Sequence, residues 1–246
     1  MKIKSLIAGL LMAGTLAMGQ PKPKSKAEAE AVNAVITAAA PDQKIAAAEN
    51  LLSKYKDTAF KSLALQLEAE AYVQKGDGPN AIVYGDRAIE ADPKNFQALL
   101  LVSSQLARMT KEFDLDKDEK LKRAAKLAND AIPAIAAAEK PNPQLTDDQW
   151  TGIKKDLTSE AHETLGMIAA LDKKWDPAIA ELKTAIDGST SPAYTAMVRL
   201  MSVYNNAKKY DDASALADKL IASGAPDNLK KIAQQIKMDA AKGKGQ

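Results

Sequence analysis

At 246 residues, with a formal net charge of +2, 4% aromatic side chains and no cysteine, the chain can bury a sizeable core built from Ala, Leu, Ile and Val. Disulfides, iron–sulfur clusters and thiolate metal sites are excluded. Removal of Lys2 and Lys4 with a leader lowers the basic count from 34 to 32, equal to the acidic count, so nothing pulls the mature chain toward nucleic acid or anionic lipid.

Residues 1–19 read as a signal peptide. Lys2 and Lys4 form the basic start, Ser5 to Met18 is apolar, and Ala17 and Gly19 are the small residues that place cleavage before Gln20. The apolar run is shorter than the roughly 20 residues a membrane span needs, so no transmembrane span is expected after cleavage. The protein is therefore expected in the periplasm of a bacterium or outside the cell. Residues 20–26 (QPKPKSK) form an extended Pro/Lys linker.

From Ala27 the sequence predicts helix after helix. Residues 27–39 and 43–55 form a first antiparallel pair split at Pro41, and residues 58–75 and 79–91 form a second around Gly76-Asp77-Gly78-Pro79. Residues 95–110 and 119–131 make a third pair, separated by the acidic insertion EFDLDKDEK, with Pro133 expected to kink or end the second helix. After a break at 139–145, Thr146 and Gln149 are spaced as a capping box for a helix to about Asp172. Asp176-Pro177 and Ser191-Pro192 are predicted as N-cap and first-turn proline of helices ending near Asp187 and Ala207. Residues 210–223 return, and residues 228–246 form a polar capping helix and tail.

A set of small residues recurs along these helices. Ala69, Tyr72, Gly76, Ala81, Ala88 and Pro93 are echoed by Gly166, Ala169, Ala178, Ala185 and Pro192, and again by Met201, Tyr204, Ala213, Leu220 and Pro226. Each time the first alanine follows the small residue by 12 positions and the next apolar residue by 7 more. A period of about 30 to 40 residues signals stacked helical hairpins. The pattern resembles the tetratricopeptide repeat (TPR) family, most fully over 62–95, 159–192 and 194–227. Residues 96–136 fit with nine residues inserted in the turn, and 27–60 follow more loosely. Glu68, Gly85, Met201 and Ala217 depart from it. The resemblance implies an all-α fold of antiparallel helical hairpins stacked as a right-handed superhelix, an α-solenoid, over residues 27–227.

Reactive constellations are weak. His162 is the sole histidine, four residues before Gly166, where a packing residue is wanted; without cysteine it builds neither a nucleophilic pair nor a metal cluster. Asp114, Asp116 and Asp118 imitate the start of a calcium loop, but Glu119 and Ala125 stand where glycine and a bidentate glutamate belong. Glu160 and Glu163 lie one turn apart without a cleft around them, and Gly76-Asp77-Gly78 lacks the Gly-Lys-Ser/Thr of a phosphate loop. The expectation is a protein that is not an enzyme and has no cofactor or metal.

In the TPR family the first helix of each hairpin lines a concave groove. Carried over by register, the groove residues are Gln66, Glu70, Val73, Leu100, Ser104, Glu163, Met167, Val198, Ser202 and Asn205. Their apolar, amide and acidic mixture suits another protein or peptide. Gln66, Glu70 and Leu100 replace the lysine and asparagine set with which some members hold a C-terminal carboxylate. The leading expectation is an exported scaffold for protein or peptide binding. The alternative is a periplasmic binder of small molecules or cell-wall glycans through the insertions at 111–123 and 133–145. Self-association stays compatible with both, because an open repeat end can stack on another copy.

Overall fold

The computed structural model describes residues 21–245. The signal peptide, and Gln20 at the head of the linker, lie outside the described residues. Eleven helices are present among them: α1 (Lys26–Thr37), α2 (Pro41–Lys54), α3 (Lys61–Gln74), α4 (Gly78–Ala91), α5 (Phe96–Met109), α6 (Lys117–Ala137), α7 (Asp147–Leu171), α8 (Trp175–Gly188), α9 (Tyr194–Asn206), α10 (Tyr210–Ile221) and α11 (Asp227–Lys244). The fold is all-α, as expected, and no described helix is long and apolar enough to cross a membrane.

Helix boundaries follow local chemistry. Ser25 caps α1 by accepting from the Glu28 N–H at 3.1 Å, so the linker's last two residues already belong to the helix start. At the head of α7 the capping box is complete: the Thr146 N–H donates to Gln149 Oε1 at 2.9 Å, and the Gln149 N–H donates to Thr146 Oγ1 at 3.1 Å.

Two N-cap expectations fail, and of the two outcomes expected at Pro133 the ending does not occur. Pro133 does not end α6, which continues to Ala137 with Ala131 and Ile135 buried on either side of the proline, so burial of that apolar face outweighs one lost backbone donor. Asp176 is not an N-cap: α8 starts at Trp175 after Lys174, and Asp176 instead accepts from Lys209 at 2.9 Å. Ser191 caps nothing either, because α9 starts only at Tyr194. The connection before α9 is held by Asp156 of α7, which accepts from the Thr190 N–H at 2.7 Å and from the Ser189 hydroxyl at 3.2 Å.

Three hairpin turns repeat one device. In each, the residue four places after a first-helix carbonyl takes a left-handed conformation: Gly76 (φ 75°), Lys173 (φ 57°) and Lys208 (φ 59°). The next N–H then reaches back to Tyr72, Ala169 or Tyr204 at 2.8–2.9 Å, as in a Schellman cap. A Cβ on Gly76 would meet nothing within 4 Å, so only its dihedral resists substitution. Gly76→Ala is expected to lower the unfolding free energy by about 1 kcal/mol. Urea unfolding followed by circular dichroism reads this; an unchanged midpoint would show that the turn adapts freely.

The described chain divides into two compact units, one comprising residues up to Met109 with Asn129–Thr151, the other Thr110–Ala128 with the residues from Gly152 on; α6 and α7 contribute to both. In the first unit each helix from α1 to α4 packs on its successor, and α1 with α3 and α3 with α5 also touch. In the second, α8 to α11 pack successively and α9 also touches α11. These second-neighbour contacts join first helices of successive hairpins, making them one closely apposed layer.

Small residues permit the approach. Ala69, Ala81, Ala88, Ala178, Ala185 and Ala213 are buried. A Cβ on Gly166 would fall 2.6 Å from Leu182 Cγ and 3.3 Å from the Ala178 carbonyl oxygen, so α7 and α8 meet where a side chain is missing. At Gly85 the space for a side chain is taken by Val102 of α5.

Candidate functional site

The residues singled out for binding fall on the first helices: α3 and α5 in one unit, α7 and α9 in the other. In the first unit Gln66 and Leu100 are buried, whereas Glu70, Val73 and Ser104 are half-buried. Gln66 is consumed by a side-chain network. Its amide donates to Glu70 Oε1 at 2.9 Å, its carbonyl accepts from Asn95 Nδ2 at 3.3 Å, and Asn95 also donates to the Ser62 hydroxyl at 2.9 Å. Ser62 in turn donates to the Ala88 carbonyl at 2.8 Å.

Lys44 of α2 belongs to the same region. It is buried and donates through Nζ to the Val35 carbonyl at 3.2 Å. Burial holds its pKa below the ordinary lysine value, and the Glu70 charge opposes that shift. Asn33 of α1 stands one repeat before Gln66, and its buried Oδ1 accepts no hydrogen bond within the protein.

In the second unit Glu163, Met167, Val198, Ser202 and Asn205 are half-buried. Arg199, missed by register arguments, ties two of them: its Nε donates to Glu163 Oε1 at 2.8 Å and its guanidinium meets Met167 Sδ at 3.2 Å. Asn205 Oδ1 is buried and accepts nothing from the protein. Each unit thus keeps one buried, unpaired amide oxygen on its first-helix layer. The signal in sequence was the amide itself; its lack of a partner depends on its neighbours.

The remaining candidates find structural partners. His162 Nδ1 lies 2.7 Å from Glu181 Oε2, linking α7 to α8. Lys120 reaches both Asp114, at 3.2 Å, and Asp116, at 2.8 Å, so an ammonium sits among the calcium-like carboxylates. Asp77 caps α4 through the Asn80 N–H at 3.1 Å, and the Asn80 side-chain amide first, then this backbone contact, hold its carboxyl below the usual range.

Glu68, a departure from the repeat pattern, is fully buried in α3, and neither carboxylate oxygen has a partner of hydrogen-bond geometry. Burial first, then the Glu49 charge, push its pKa to about 7 against the opposing pull of Arg87 and Tyr84. Tyr84 stacks on Tyr72 with ring centroids 5.1 Å apart and lies under the Arg87 guanidinium.

Two solved structures are similar in fold. A thermophilic TPR protein from Thermus thermophilus aligns with a TM-score of 0.55 at 17% identity, over 84% of this chain and 91% of its own. A double mutant of MamA RS-1 aligns with a TM-score of 0.54 at 12% identity, over 90% of this chain and 96% of its own. The fold is that of a TPR protein. No family model and no curated protein matches the chain.

Proposed function

We propose that the protein is an exported, non-catalytic scaffold that binds extended peptide or protein segments on the first-helix layer of each unit. The observation that carries this reading is the pair of buried amide oxygens, Asn33 Oδ1 and Asn205 Oδ1, that accept no hydrogen bond from the protein. Each oxygen is covered in the free protein, so its amide must rotate outward to accept from a peptide N–H, which removes the roughly 1–3 kcal/mol cost of an unmet buried acceptor. On the first helices α3 and α9, Val73, Val198 and Ser202 present half-buried apolar and hydroxyl surface suited to side chains of a bound strand. Export rests on the residues 1–19 pattern.

Photo-crosslinkers placed at Val73 and Val198, with the exposed Arg87 as a control, identify the partner in cells. Asn33→Leu and Asn205→Leu then weaken binding of the purified partner about tenfold each, while leaving the melting temperature of the free protein unchanged or raised. Unaltered affinity in both variants, or the same adducts from Arg87, would remove the first-helix layer from consideration.

A further inference from the structure

The loop between α5 and α6 carries two large apolar side chains in water: Phe113 is 91% exposed and Leu115 is fully exposed. The loop is nevertheless well tied. Asp114, between them, accepts from the Lys111 N–H at 3.1 Å and from Lys120 Nζ at 3.2 Å, and backbone turns close from Asp114 to Lys111 and from Lys117 to Asp114. Glu112 is bound by Lys173 at 2.6 Å and Asp116 by Lys120 at 2.8 Å. Phe113 and Leu115 therefore stand as a fixed apolar prong whose neighbouring carboxylates are neutralised within the protein.

Beside the prong, in the same unit, lies an open hollow of about 480 Å³ lined by Glu112, Ala170, Leu171, Lys173, Trp175 and Asn206. Ala170, Leu171 and Trp175 supply its apolar lining, and its volume falls within the roughly 300–1,000 Å³ of pockets that receive small ligands, ample for a benzyl group. Glu112 both lines the hollow and adjoins Phe113, so prong and receptor share one face. A face that carries both a projection and its complement satisfies the condition for a two-fold interface, in which each copy gives what it receives.

We infer that this face binds a second copy of the chain, with Phe113 of each protomer seated over Trp175 and Leu171 of its partner. The paired charges around the prong argue against an anionic bilayer as its occupant, since no cationic excess accompanies the apolar side chains. An aromatic side chain buries about 150–250 Å², so two prongs with their walls reach only the lower end of specific interfaces. The expected association is therefore weak, with a dissociation constant on the order of 10 µM. This inference does not depend on the peptide-binding reading.

Sedimentation equilibrium of the purified protein from about 1 to 300 µM spans that constant. The parent passes from monomer to dimer, whereas the Phe113→Asp/Leu115→Asp double variant and the hollow-filling Asn206→Trp each associate at least about tenfold more weakly. Val83→Asp, at an exposed site in the other unit, associates like the parent, and circular dichroism confirms that all variants remain helical. A parent that stays monomeric throughout, or a double variant that dimerises like the parent, overturns the inference. Prong-dependent flotation of a monomeric parent with phosphatidylcholine vesicles overturns it equally, by making the bilayer the occupant.

Discussion

Ala178→Trp is expected to abolish the cooperative thermal melt of the unit that contains α8. Ala178 is fully buried at the start of α8, in one cluster with Leu182, Ala185, Ala196, Leu200 and Tyr204. Its carbonyl oxygen stands 3.3 Å from where a Cβ on Gly166 of α7 would be, so the two backbones leave no room for an indole. Overpacking by a few methylenes costs about 1–3 kcal/mol, and a whole indole forces the helices apart, with an expected loss above about 4 kcal/mol. That is a large part of the roughly 5–15 kcal/mol by which domains are stable. Thr184→Trp, on the exposed side of the same helix, should change stability by less than about 0.5 kcal/mol. Circular dichroism at increasing temperature distinguishes them. An Ala178→Trp protein that melts as sharply and as late as Thr184→Trp would refute close backbone packing as the basis of the stack.

Glu68→Gln is expected to stabilise the protein at pH 8 and to do little at pH 5. The Glu68 carboxyl has its pKa raised from 4.5 to about 7 in the folded state, chiefly by burial. Between those values the folded protein holds a proton that the unfolded chain has released. Stability therefore falls as pH rises through this window and stays level above it, leaving a deficit of about 3 kcal/mol at pH 8. Glutamine keeps the shape and carries no charge, so the deficit disappears, and at pH 5 the neutral acid and the amide are nearly equivalent. Urea unfolding of both proteins at the two pH values isolates the effect, since titrating groups not coupled to Glu68 cancel in the difference. Parallel profiles, or a variant less stable at pH 8, would show that Glu68 is ionised without penalty in the folded protein.

The contrast between Ala178 and Glu68 also shows what kind of information sequence carries. Alanine and glycine spacing predicted the hairpins because small residues at fixed intervals are needed wherever two helices cross closely, whatever surrounds them. Glu68 was visible only as a departure, and its charge state follows from which side chains of α2 and α4 close over it. Gln66 and Leu100 share the register of half-buried positions yet are covered, Gln66 because Asn95 and Glu70 fold its amide into a network.

Local chemistry determined the helices, the turns with glycine and proline, and the Thr146–Gln149 capping box, because each depends on residues within one turn of the chain. Tertiary structure alone decided that α6 passes through Pro133 and that Arg199 occupies Glu163 and Met167. In those places packing and contacts between distant residues, worth more than a single propensity, set the outcome.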